Sequence, residues 1–416
     1  MTIILFIIYL LLFCFIITRI RFLDMLSVPT WVLPIIFCIK VAAGVAYGFY
    51  FNLPSQRDGA DTYRFFRESL PETQLLLHHP FLFIQSLFTH GYDQTGNLFI
   101  GSNSYWNDLK DNIIIKILAV CNAFSGSNYF VNIIFFNFFY LFGLVAFFRL
   151  LKPFNRVHPY ILVATVFLMP SFLFWCSGIH KDGLIVSGIG LVFFCCKQLM
   201  VAPKASRYWL VMSISWLFLF FVKNFLALAL LPALFGWYVS EKNKHWQQFY
   251  FIAIYSGGIL LLMLFGLMGE KFNALHYIVN KQHEFLLLEG ASAMKLPLLQ
   301  PTIESMIHYL PKALDIAFFR PHFSDAKSAA YLLPFAEIMV YTAIVLTYLW
   351  LMRSRLRMPP FYICCMYFAI SILLLDGFTV TFIGAIVRYR SLMLPFIMAP
   401  IISMLPFNTI HFSKKK

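Results

Sequence analysis

The chain has 416 residues, 61% of them hydrophobic and only 12% charged, with a formal net charge of +14. Soluble domains carry about a quarter charged residues, so a water-soluble globule is excluded. Lipid offers the backbone no hydrogen-bond partners, which leaves helices or closed barrels; the apolar runs are continuous rather than alternating, so the fold expected is an all-α, polytopic integral membrane protein forming a single domain over 1–416.

Taken in chain order, eleven spans are expected, at about 2–18, 30–51, 126–148, 160–178, 183–199, 208–222, 225–240, 248–268, 331–352, 361–376 and 391–407, each near the ~17–25 residues that cross a bilayer core. The first run, Thr2 to Thr18, lacks a basic leader and a small-residue cleavage site, and reads as a retained span. The eight cysteines fall almost entirely in apolar runs and form no C-x-x-C, so they read as small buried hydrophobes. The long connections 52–125 and 269–330 exceed simple turns. Their aromatic and apolar content suggests partly helical segments lying on the membrane surface.

Orientation follows from the basic residues near span ends. Arg19, Arg21, Arg149, Lys152, Arg156, Lys197, Lys204, Arg207, Lys242, Lys244, Arg353, Arg355, Arg357 and Lys414 to Lys416 all fall on one side, with only Asp24 and Glu241 opposing them. The rest of the chain is electrically balanced. This places the protein in the cytoplasmic (inner) membrane, N-terminus outside and C-terminus inside, with both long loops extracytoplasmic. Insertion explains the basic excess, so no nucleic-acid partner is expected.

Polar clusters from distant segments then map to the outer layer. "QRDGADTYRFF" carries Arg57, Asp58, Asp61 and Arg64; "HKD" is His180, Lys181 and Asp182; "FVKNF" carries Lys223; "FFRPHFSD" carries Arg320, His322 and Asp325; and Arg388 and Arg390 precede the last span. Ionisable groups near hydrocarbon are costly and are usually paired or functional. A carboxylate such as Asp58 or Asp61 can take a proton from an attacking sugar hydroxyl. Fixed guanidinium and ammonium groups can hold a phosphate as it leaves. The bland alternatives are Asp58 and Asp61 pairing with Arg57 and Arg64, Asp182 capping a helix, and Arg388 and Arg390 snorkelling to lipid headgroups. Lys40 and Glu337 lie within spans, where each could line a polar cavity or the two could neutralise each other.

Together these segments resemble those of GT-C-type membrane glycosyltransferases and bacterial polysaccharide polymerases. "DGADTYRFF" resembles the acidic first-loop motif of the GT-C group, and "IVRYRSLMLPF" its late R-Y-R-x-x-x-x-P signature. "PSFLFWCSGIHKDGL" and "FFRPHF" are similar to patterns of polysaccharide-cluster membrane proteins. The resemblance implies a GT-C-like fold that transfers a glycan from a polyprenyl-(pyro)phosphate-linked donor to a glycan acceptor. By position, Asp58 or Asp61 would be the base. His180, Lys181, Asp182, Lys223, Arg320, Arg388 and Arg390 would bind substrate or lipid phosphate. The two acids are separated rather than adjacent, and they follow the second span rather than the first, which keeps both a transferase and a repeat-unit polymerase open. No cofactor is required, although Asp58 with Asp61 offers two ligands to a divalent cation. A transporter or flippase of lipid-linked glycan is the alternative; the gathering of polar groups at one surface favours transfer.

Overall fold

The computed structural model describes residues 2–25, 27–54, 61–89, 105–269, 273–288, 290, 292–325, 329–352 and 358–406. The helices in chain order are α1 (Thr2–Arg19), α2 (Val32–Phe51), α3 (Asp61–His78), α4 (Pro80–Thr89), α5 (Tyr105–Ser125), α6 (Tyr129–Leu151), α7 (Pro159–Phe167), α8 (Pro170–Trp175), α9 (Lys181–Val201), α10 (Ser206–Lys242), α11 (Gln247–Gly266), α12 (Ala274–Leu286), α13 (Ile303–Leu314), α14 (Ala329–Met352), α15 (Pro360–Thr379) and α16 (Ile383–Ser403). Among the described residues the β pairing is a single bridge, Ala293 to Phe382. The chain is a polytopic, all-helical membrane protein, with eight described helices long and apolar enough to cross a bilayer.

The difference between eleven expected spans and eight such helices has three local causes. The first apolar helix is short, Ile3–Arg19 by apolar length. The interval 160–178 is broken: α7 stops at Phe167 and α8 starts at Pro170. Proline disfavours helical geometry at the residue before it, and Met169 is that residue. The intervals 208–222 and 225–240 run together as the 37-residue α10, but Lys223 breaks it with φ −154° and ψ 75°. Trp216 Nε1 donates to the Ala227 carbonyl at 3.2 Å. Eleven residues of straight helix would separate those positions by about 16 Å, so the chain doubles back at Lys223. The last span also differs from expectation. It begins at Ile383, not 391, and Arg388 and Arg390 lie inside α16 rather than in the connection before it.

Two compact units form, one from Met1–Leu150 with Leu173–Ala227, the other from Leu151–Phe172 with Leu228–Lys416. In the first, α6 and α9 cross at small residues. A Cβ on Gly143 would lie 2.0 Å from the Ser187 carbonyl oxygen, and one on Gly190 would lie 2.2 Å from that of Gly143. Helices in lipid associate through close packing, which small residues permit. Substituting Gly143→Leu is expected to lower stability by at least 1–3 kcal/mol, roughly the cost of overpacking. Thermal unfolding in detergent measures this, and an unchanged midpoint would refute the crossing.

The connection 52–125 is helical over α3, α4 and α5 where it is described. Helices α3 and α5 meet through polar groups: Arg64 reaches Asp111 at 2.7 Å, Lys116 pairs with Glu72, and Asn122 Nδ2 donates to Ser69 Oγ at 2.8 Å. In the second unit, Met294, Leu299, Tyr309, Ala313, Ile316, Val380, Ile383, Ile386 and Val387 form a core that ties the segment around α12 and α13 to α15 and α16.

Candidate functional site

The site in the first unit is built on the turn between α8 and α9. A break in a helix leaves carbonyls without intrahelical partners, and lipid cannot supply any. Here neighbouring helices do. From α2, fully buried Lys40 donates to the Cys176 carbonyl at 3.2 Å and to Ser177 Oγ at 2.9 Å. From α6, Asn137 donates to the Ser177 carbonyl at 2.7 Å, and the Tyr140 hydroxyl faces the carbonyls of Gly178 and His180 at 2.9 and 3.0 Å. A Cβ on Gly178 would sit 2.2 Å from the Tyr47 ring, so the turn needs glycine there. Lys40 therefore staples a turn, and Glu337 has its own partners in the other unit.

His180 emerges from this turn as the N-cap of α9. Its Nδ1 lies 3.3 Å from the Asp182 backbone N–H, which donates to it. The expectation that Asp182 caps the helix is thus replaced by a histidine cap. With Nδ1 accepting, the neutral ring carries its proton on Nε2, which lies 3.5 Å from Asp61 Oδ2. The Asp182 carboxylate is 3.3 Å from Nδ1. His180 and Asp182 are buried, whereas the Asp61 side chain is 40% exposed.

The motif "DTYRFF" sets Asp61 in place. The Thr62 and Tyr129 hydroxyls are 2.8 Å apart, the Tyr63 hydroxyl donates to the Gly48 carbonyl at 2.9 Å, and the Tyr63 ring stacks on Tyr129. Phe65 is wholly buried, its ring 6.2 Å from that of His180. Asp61 opens α3, where a carboxylate interacts favourably with the helix dipole. Arg64 is 3.6 Å from Asp61 and 2.7 Å from Asp111, and Lys181 is 3.6 Å from the other Asp111 oxygen. Burial alone would lower the Arg64 guanidinium, but the Asp111 hydrogen bond and the nearby Asp111, Glu68 and Asp61 charges raise it overall. Burial lifts the Glu68 carboxyl above the ordinary glutamate value; Arg64 opposes this and Asp111 adds to it.

In this group Asp61, Glu68 and Asp111 surround Arg64, Asp111 also meets Lys181, and Asp182 stands against His180. A carboxylate such as Asp61 can accept a proton from a hydroxyl. Lys181, expected to hold phosphate, lies 3.6 Å from Asp111 Oδ1.

The remaining expected residues are placed as follows. Asp58, and with it a divalent site shared by Asp58 and Asp61, lies outside the described residues, as do Arg57, Arg353, Arg355, Arg357 and Lys414 to Lys416. Lys223 sits at the break in α10, its ammonium 5.2 Å from the Phe225 ring centre. In the second unit, Arg320 reaches Asp315 at 3.5 Å and both Asp325 oxygens at 3.2 Å, and His322 Nε2 lies 2.8 Å from Asp315. Arg390 is buried and donates to the Arg320 carbonyl at 2.5 Å and to that of Ala317 at 3.4 Å. Buried Glu337 accepts from the Ser171 backbone N–H, the Ser171 hydroxyl and the Tyr341 hydroxyl. Arg388 has its guanidinium 6.0 Å from the Tyr389 ring centre.

Sequence reasoning missed Asp111, which joins Arg64 to Lys181, and the staples Asn137 and Tyr140. Asp111 stands at the polar start of an amphipathic run, and nothing in its spacing points to α3. Compared with family models, curated proteins and solved structures, the chain matches none. What fold and site define is a multi-pass membrane protein with a carboxylate–imidazole–carboxylate group on a stapled interhelical turn.

Proposed function

We propose that the protein is a membrane glycosyltransferase or repeat-unit polymerase acting on the outer face of the cytoplasmic membrane in surface polysaccharide assembly. Asp61 is the general base. An acceptor hydroxyl gives its proton to Asp61 as its oxygen bonds to the anomeric carbon. The bond from that carbon to phosphate breaks, and the electron pair leaves with the polyprenyl diphosphate. A positioned base contributes about 10²–10⁴-fold. His180 is a positioning residue that holds Asp61.

The observation that carries this reading is the state of Asp61: reachable from solvent, yet with Oδ2 3.5 Å from His180 and Oδ1 3.6 Å from Arg64. The order of the motifs and the basic bias that puts them on one side support the location and the donor class. The interruption between α7 and α8 favours a second reading, since transporters often carry broken helices. Reconstitution separates the two. Proteoliposomes given a polyprenyl-diphosphate-linked oligosaccharide are expected to yield products longer by whole units. Movement of the intact donor between leaflets with no lengthening would favour the transporter instead.

A further inference from the structure

The second unit contains a cavity of about 310 Å³ whose lining includes Lys295, Lys312, Arg320, Asp325, Ser292 and Tyr331. The chain builds it by pairing 292–294 with 381–383: Met294 N–H donates to the Thr381 carbonyl at 2.8 Å, and Ile383 N–H to that of Ser292 at 3.0 Å. Gly384 in the first turn of α16 leaves space between two hydroxyls; a Cβ there would lie 3.5 Å from Ser292 Oγ and 3.9 Å from the Tyr331 hydroxyl. Three cations thus border one cavity in a chain that is only 12% charged. Arg320 is held by Asp315 and Asp325, and Lys312 is 3.5 Å from Asp315. Lys295 makes no ion pair among the described residues.

We propose that this cavity binds a phosphoryl group. Arg320, fixed by its two carboxylates, forms the rigid side, and Lys295 and Lys312 supply mobile point charges that close on the anion. The hydroxyls of Ser292 and Tyr331 add neutral donors. Phosphate oxygens make strong charge-assisted hydrogen bonds with such a set. The inference is independent of the transfer reaction: the cavity lies wholly in the second unit and contains neither Asp61 nor His180.

The test uses the full chain in nanodiscs of phosphatidylcholine. One arm titrates inorganic pyrophosphate by calorimetry. The other measures by native mass spectrometry whether added phosphatidic acid is retained over phosphatidylcholine. Saturable binding in the first arm alone identifies a soluble phosphoryl ligand, and in the second alone a lipid headgroup; either result supports the site. Lys295→Gln and Lys312→Gln are each expected to weaken binding about tenfold, the loss of one charge-assisted hydrogen bond. Lys295 is exposed and makes no ion pair among the described residues, so its replacement leaves the fold intact. Lys244→Gln, at an exposed lysine that does not line the cavity, is expected to have no effect. Absence of binding in both arms, or an equal loss in Lys244→Gln, would overturn the assignment.

Discussion

Replacing Lys40 with methionine is expected to lower stability by about 2–4 kcal/mol and to abolish the activity of the protein that remains folded. Lys40 is wholly buried, and its ammonium donates to two acceptors in the turn, Cys176 O and Ser177 Oγ. A buried polar group left without its partner costs about 1–3 kcal/mol, and there is no water in the hydrocarbon layer to replace it. The damage does not stop at the turn. His180 lies three residues beyond Ser177, and its imidazole meets Asp61 only because the turn is fixed. Tyr140→Phe removes a lesser support, the hydroxyl at Gly178 and His180. It is expected to cost about 1 kcal/mol, an ordinary hydrogen bond, and to reduce activity while leaving the fold intact. Thermal unfolding of the purified variants checks both. A Lys40→Met protein as stable as the parent would show that the staple is not needed.

The sequence made some of this legible and hid the rest for physical reasons. Helical spans follow from apolar length, and the break at Lys223 was visible as a charge between two apolar runs. The break before Pro170 also had a signal, but the surrounding residues are so apolar that a hydropathy window runs across it. The start of α16 was misplaced for the opposite reason: Arg388 and Arg390 lower the apparent hydropathy of a segment that is helical from Ile383. Arg390 tolerates that position because carbonyls from 317 and 320 receive its guanidinium. No pattern along the chain encodes such partners. Asp61 and the "HKD" stretch stood out as ionisable groups in short or aromatic segments, and the structure does gather Asp61, His180, Lys181 and Asp182. Asp111 did not stand out. Its role depends on α5 lying along α3, a pairing set by Asn122, Thr73, Lys116 and Glu72. Nor could the sequence distinguish Lys181, which faces Asp111, from Lys295, which has no ion-pair partner among the described residues.

The second large effect concerns the proposed base, Asp61. Asp61→Asn keeps the size of the side chain and its place at the start of α3, but an amide cannot accept the acceptor's proton. The transfer rate is expected to fall about 10²–10⁴-fold, the usual contribution of a general base. His180→Asn is the informative companion. Asparagine is a good N-cap, so α9 keeps its first turn while the ring nitrogen facing Asp61 is lost. A rate reduced at least tenfold with the unfolding midpoint retained marks His180 as positioning the base; an unchanged rate would reduce it to a cap.

The chemistry proposed here is tested most directly by a single-turnover rate of glycan transfer for Asp61→Asn beside the parent chain, in the same proteoliposomes and at matched folded fraction. Loss of turnover by two orders of magnitude or more, with donor still bound, is the predicted result. A variant that extends the acceptor at the parental rate would contradict the account.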